Sequence, residues 1–104
     1  MPKIHPIKEY SSFTVRCEGD VYTNTFNNGF VQSFKATLID NDGNDTYAVR
    51  AQLFNPSTET LNKLEAIEIG EIFIVFGELK VNPDPTYSDN LIIKDINAVA
   101  EPVN

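Results

Sequence analysis

Apolar and polar positions alternate along most of the chain, which is the pattern of β-strands that bury one face. The first such segment is SSFTVRCEGDVY, where Phe13, Val15 and Cys17 alternate with polar residues until Gly19 interrupts the pattern. A glycine within a long strand favours a bulge or a bend. We therefore predict a first strand that curls and pairs with two neighbours in a small barrel.

Two further strands follow, each after a turn. TNTFNNGF predicts the first turn, because Asn27, Asn28 and Gly29 tolerate positive φ angles. FVQSFKATLID is the second predicted strand, DNDGND the next turn and TYAVRAQLF the third strand. The residues expected to point inward are Phe34, Ala36 and Leu38 in the second strand and Tyr47, Val49, Ala51 and Leu53 in the third.

In NPSTETLNKLEAIEIG the spacing of apolar residues changes from the two-residue period of a strand to that of a helix. Asn55 or Ser57 can cap this helix, Pro56 suits its first position and Gly70 suits its end. Its apolar residues recur at helical spacing, at Leu61, Leu64 and Ile67. The segment therefore predicts one helix after the third strand.

The fourth predicted strand, EIFIVFGELKV, is apolar at five consecutive positions. Its inward face is expected to hold Phe73, Val75 and Leu79. The opposite face carries an apolar stripe that needs cover, made of Ile72, Ile74 and Phe76. Neighbouring elements could supply that cover, or the stripe could be a self-association surface that makes a homodimer or higher oligomer.

A proline-rich loop, NPDPTYSDN, leads to the fifth predicted strand, LIIKDINAVA. The predicted order is strand, strand, strand, helix, strand, strand. The chain has 104 residues, 41% of them hydrophobic, which suits one domain over residues 1–104 with a core over about 12–99. No apolar run is long enough to span a membrane and no secretory signal is evident, so a cytoplasmic location is expected.

The net charge and the scarcity of cysteine and histidine exclude several classes of function. Fifteen acids and eight bases give a net charge of −7, which argues against loose attraction to polyanions or acidic membranes. A single cysteine, Cys17, cannot form an internal disulfide, and we expect it to be a buried thiol. The only histidine, His5, lies near the terminus. We therefore expect no metal site, no cofactor and no catalytic set, so the chain is not predicted to be an enzyme.

Five strands with a helix between the third and fourth is the order of the OB-fold, a partly open Greek-key barrel. The chain resembles a single-stranded DNA-binding protein of the OB-fold type. FVQSFKATL is similar to the second strand of that family, TYAVRAQLF to the third and GEIFIVFGEL to the fourth. The resemblance covers roughly residues 12–99 and implies a role in DNA replication or recombination, with enzymes of those processes as further partners.

The resemblance is incomplete in two places. Cellular family members end in an acidic tail with a terminal aromatic, whereas this chain stops at AEPVN, as expected for a phage, plasmid or other mobile-element form. The usual tryptophans are absent. In the family the aromatic at the end of the third strand stacks on a base, and Phe54 has the matching place. Further stacking is expected from Tyr87, and from Tyr22 or Tyr47.

Non-specific single-strand binders combine a cationic groove with aromatic rings on which bases stack. The outward positions of the predicted strands and the last loop offer both, at Arg16, Lys35, Thr37, Arg50, Gln52, Phe54, Lys80 and Tyr87. These residues are the predicted site for single-stranded DNA, with RNA equally compatible. The alternative is that Arg16 and Arg50 pair with Glu18 or an aspartate and Phe54 caps the barrel. A separate hypothesis for the whole chain is an acidic OB-type adaptor whose surface docks a protein partner instead of nucleic acid.

Overall fold

The computed structural model describes residues 11–97 and is mostly β-structure with one helix, as predicted for the fold class. Within this range the elements in chain order are β1 (Ser11–Cys17), β2 (Tyr22–Phe26), β3 (Gly29–Ile39), β4 (Asp45–Phe54), α1 (Thr58–Glu65), β5 (Ile72–Lys80) and β6 (Asp89–Ile96). Residues 98–100 of the predicted last strand, and the predicted core limit at 99, lie outside the described residues.

Five of the strands close into a ring. Strand β1 pairs antiparallel with both β3 and β5, β5 pairs antiparallel with β6, and β3 pairs antiparallel with β4. Strands β4 and β6 complete the ring through a parallel pairing. Each of these five strands therefore pairs with at least two others, which closes the ring.

The sixth strand, β2, corrects the prediction of five strands. Residues 22–26, expected to belong to the first strand and the following turn, instead form a separate strand that pairs antiparallel with the first half of β3. Their aromatic and β-branched side chains favour a strand, and Asn27 and Asn28 make the tight turn between Phe26 and Gly29. The chain bends at Gly19, so that β1 and β2 lie along the same edge of β3.

The core lies inside the ring and confirms most of the predicted inward faces. Val15 and Cys17 of β1, Phe34, Ala36 and Leu38 of β3, Val49, Ala51 and Leu53 of β4, and Phe73 and Val75 of β5 are all buried. Phe13 and Leu79 are partly buried against them. Tyr47 is the exception: 44% of it is exposed, because the pairing of β3 with β4 shifts register between Thr37 and Ile39, opposite the start of β4.

Helix α1 closes part of the ring through Leu64, which is buried in the core. Ser57 caps it, since its hydroxyl accepts a hydrogen bond from the Thr60 amide at 3.2 Å. Pro56 therefore precedes the cap and is not the first helical residue as predicted. The helix also ends at Glu65, five residues before Gly70. None of the helices between residues 11 and 97 is long and apolar enough to cross a membrane.

Candidate functional site

Four polar side chains form a row across the outer face of the ring. Lys35 on β3 is in register with Arg50 on β4, Arg50 with Asn90 on β6, and Asn90 with Lys80 on β5. We call these four residues the basic row. Because neighbouring strands lie about 4.8 Å apart, the row runs about 14 Å at right angles to the strands. Three predicted binding residues, Lys35, Arg50 and Lys80, thus share one surface.

The three cations of the basic row are exposed and lack acidic partners in the described part of the chain. None of them forms an ion pair with a carboxylate of residues 11–97. Like charges directly opposite each other in a sheet are destabilising, so the Lys35–Arg50 pair costs the fold free energy. A bound anion would remove that repulsion.

Two phenylalanines form an exposed aromatic cluster at the end of the same surface. Phe54, the last residue of β4, is 47% exposed and Phe26, the last residue of β2, is 46% exposed. Their ring centroids are 6.4 Å apart and the rings are tilted by 54°. Phe26 was missed by the sequence analysis because its segment was assigned to a turn. The alternation of aromatic and β-branched residues in YTNTF is the signal that could have revealed it.

A pocket opens on the basic row between β2 and the loop that precedes β6. It has a volume of about 240 Å³, and Lys35 and Arg50 line it together with Tyr22, Ala48 and Ser88. The core residues Phe34 and Val49 also line it. Tyr22, one of the two tyrosines predicted to supply further stacking, is 47% exposed. The pocket therefore joins two cations, an aromatic ring and a hydroxyl group at one point of the surface.

Arg16 has a different environment from the other predicted cations. Its Nη1 and Nη2 donate to Asp45 Oδ1 and Oδ2 at 2.9 and 2.7 Å, and its Nε donates to Glu18 Oε2 at 2.9 Å. The Thr37 hydroxyl donates to the same Glu18 carboxylate. This arrangement is the alternative considered above for Arg16, whose guanidinium is already neutralised. Thr37, also predicted to bind, belongs to the same network.

The Arg16 network makes stability depend on pH in the acid range. Hydrogen bonds from Arg16 hold the pKa of Asp45 below its usual value, and those from Thr37 and Arg16 lower the pKa of Glu18. A carboxyl group with a lowered folded-state pKa stabilises the fold above its unfolded pKa, and that contribution is lost as pH falls through the folded value.

We therefore expect Asp45→Asn to be less stable than the unmodified chain at neutral pH, and the difference to shrink as pH falls below about 4. Urea unfolding at a series of pH values measures this. Asp42→Asn is the matched control, because Asp42 lies in the adjoining turn and its side chain makes no ion pair within residues 11–97. An Asp45→Asn deficit that stays constant with pH would contradict the expectation.

The other predicted site residues are distributed over the surface. Gln52 lies on β4 between Arg50 and Phe54, on the same face, and is half-buried opposite Ser33. Tyr87 is 64% exposed in the loop before β6 but does not line the pocket. Gln52 thus fills the surface between the basic row and the aromatic cluster, whereas Tyr87 stays separate from both.

The apolar stripe lies elsewhere on the ring. Its residues are in register with β1, where Ile72 is opposite Arg16, Ile74 opposite Thr14 and Phe76 opposite Ser12. Ile72 is 51% and Ile74 42% exposed, while Phe76 is half-buried. Neighbouring elements thus leave most of the stripe uncovered, and self-association through it stays a prediction.

Groups that could hold a metal or act as a nucleophile are sparse in the described range. No cluster of three His, Cys, Asp or Glu side chains suited to a metal occurs among residues 11–97. Cys17 is buried, as predicted, and its thiol donates to the Gly19 carbonyl at 3.2 Å. Burial raises the pKa of this thiol, which disfavours the reactive thiolate. His5 lies outside the described residues.

Comparison with known proteins does not assign the chain to a family. No protein-family model, curated protein or solved structure matches it. The function is therefore proposed from the residues that form the basic row, the pocket and the aromatic cluster.

Proposed function

We propose that this protein binds single-stranded DNA through the outer face of β3 and β4, without catalysis, and acts in DNA replication or recombination. The observation that carries the proposal is the basic row, in which Lys35, Arg50 and Lys80 are exposed and in register across strands, with no acidic partner in residues 11–97. Aligned cations of this kind suit a chain of phosphates.

The topology supports an OB-type barrel as part of the proposal. An OB-fold binds oligonucleotides on its second and third strands and the loops beside them. In the ring described above, β3 and β4 would take those two places, with α1 between β4 and β5 and with β2 as an addition to the edge of β3. The basic row crosses these same two strands.

The exposed aromatics favour a single strand over a duplex. Phe54 and Phe26 can stack only on bases that are free of base pairing, and stacking contributes about 1–3 kcal/mol per base. A duplex cannot stack its paired bases on these rings, so nothing from stacking offsets its repulsion by the net charge of −7. RNA carries the same phosphates and base faces, so competition between DNA and RNA of one sequence distinguishes the two ligands.

A titration with fluorescent oligothymidine of about 30 nucleotides tests the proposal, beside a duplex of the same length. We expect preference for the single strand. The row holds three cations without a carboxylate partner in the described range, and each single-strand contact contributes about −0.7, so the slope of log K against log salt should be about −2. Arg50→Gln should bring the slope closer to zero by about 0.7. Lys94→Gln, which removes one exposed charge outside the row, is the control.

Absence of single-strand binding at low salt would reject the proposal and favour an acidic adaptor that docks a protein. A slope that Arg50→Gln and Lys94→Gln change equally would show that binding follows net charge and not the basic row. Self-association through the apolar stripe, the cytoplasmic location and partners in replication or recombination belong to the same proposal.

A further inference from the structure

The pocket on the basic row contains groups that together match one phosphate. Lys35 and Arg50 line it from the neighbouring strands β3 and β4. Tyr22 lines it from β2 and Ser88 from the loop before β6. We propose that this pocket holds a single phosphate group of a nucleic-acid strand between Lys35 and Arg50, with the adjoining base against Tyr22. The inference rests on the proposed function and names the point at which the strand is held.

Lys35 and Arg50 are directly opposite each other on the paired strands β3 and β4. Side chains directly opposite each other in antiparallel strands have Cβ atoms about 4.5–5.5 Å apart, so both cations can reach one anion. A guanidinium group can donate two parallel hydrogen bonds to a phosphate, and an ammonium group adds a point charge. The pair that repels in the free protein therefore becomes favourable around a phosphate.

The comparison with Arg16 shows why the anion belongs at this pair. Arg16 projects from the same outer face, but Asp45 and Glu18 already satisfy its guanidinium group. Lys35 and Arg50 have no carboxylate partner in residues 11–97. Of these three cations, only the two in the pocket lack a carboxylate partner within residues 11–97 and can therefore pair with an external anion.

The shape of the pocket argues for more than a free ion. Its volume of about 240 Å³ is several times the roughly 30 Å³ that a water molecule occupies in the liquid, so a phosphate leaves room for an attached sugar. Ala48 keeps the pocket open, because its side chain is a single methyl group. Ser88 adds a hydroxyl donor, and the exposed ring of Tyr22 offers a stacking face on the side of β2.

The phosphate could be an internal phosphodiester or a terminal phosphomonoester, since both present the same oxygens. Ala48→Leu tests the contribution of the pocket alone, because the larger side chain fills the pocket while every charged residue stays in place. Ala66→Leu is its control, since Ala66 is exposed at the end of α1 and far along the chain from the row. Amide NMR spectra of the full chain check that each variant is folded.

The experiment measures binding of three probes to the unmodified chain and both variants. The probes are oligothymidine of about 30 nucleotides, a four-nucleotide oligothymidine with or without a 5′-phosphate, and inorganic phosphate followed by amide NMR. We expect Ala48→Leu to weaken binding of the longest probe about tenfold or more, and Ala66→Leu to leave it unchanged. Inorganic phosphate should shift the amide signals of Lys35 and Arg50 in the unmodified chain but not in Ala48→Leu.

The outcomes separate this inference from the proposed function. If the long probe binds Ala48→Leu as tightly as the unmodified chain, the pocket inference fails and the proposed function stands. If the long probe never binds while inorganic phosphate still shifts the two amide signals, the proposed function fails and with it the nucleic-acid strand as the ligand, and only a site for phosphate itself remains. If neither ligand binds, both fail. If the 5′-phosphate strengthens binding of the four-nucleotide probe to the unmodified chain but not to Ala48→Leu, the pocket binds a terminal phosphate.

Discussion

Replacing Gly77 by alanine is expected to lower the free energy of unfolding by about 3 kcal/mol. Gly77 lies on β5 beside a shift in the pairing of β5 with β6, and a Cβ atom there would collide with the carbonyl oxygen of Ile92. That oxygen belongs to the backbone of β6, so it cannot move away as a flexible side chain could. The added methyl group must therefore separate two strands of the ring.

Chemical denaturation followed by circular dichroism measures this effect, and Gly19→Ala is the matched control. A Cβ atom at Gly19 would have Lys35 Cβ as its nearest neighbour at 3.9 Å, which is an ordinary contact. We expect that variant to differ from the unmodified chain by less than about 1 kcal/mol. Equal stability of the Gly77→Ala and Gly19→Ala variants would contradict the close approach of β5 and β6.

The largest effect on function is expected from the aromatic cluster. Phe54→Ala should weaken oligothymidine binding by about 1–3 kcal/mol, the contribution of one stacked base. Because nearly half of Phe54 is exposed, the loss should appear mainly in affinity, with a smaller change in the unfolding midpoint. Fluorescence anisotropy at fixed salt measures the affinity, and thermal unfolding measures the stability of the same sample.

Ile69→Ala is the control, because Ile69 is 58% exposed and lies in the connection between α1 and β5, away from the basic row. Phe26→Ala extends the test. Since the rings of Phe26 and Phe54 are close, the effects of the two substitutions on binding should not add if they stack on the same base. Unchanged affinity and reduced stability in Phe54→Ala would instead indicate that Phe54 only caps the ring.

The faces of β3 and β4 were predictable because strand side chains alternate strictly over short distances. Phe34, Ala36, Val49 and Ala51 are buried where the pattern puts them, and the neighbouring Lys35 and Arg50 are exposed. Alternation failed at Tyr47, where the register shift between β3 and β4 leaves the beginning of the strand outside the core. A local pattern cannot predict such a shift, because it arises from the pairing of two strands.

The candidate site was predictable in part for the same reason. Periodicity placed Lys35, Arg50 and Phe54 on outward faces, but it could not tell that Asp45, twenty-nine positions along the chain, would bind Arg16. It also missed β2 and thus Phe26. Only the hairpin formed by β2 and β3 brings that ring beside Phe54.

By itself, the sequence determined which side of each long strand is buried, where the main turns lie and that one helix follows β4, since these depend on neighbouring residues. The tertiary structure alone decided which strands are adjacent and in which register. Those long-range pairings align Lys35, Arg50 and Lys80 in one row while Arg16 is neutralised at its side. Residues far apart in the chain meet through strand pairing, which the period of a single strand does not specify.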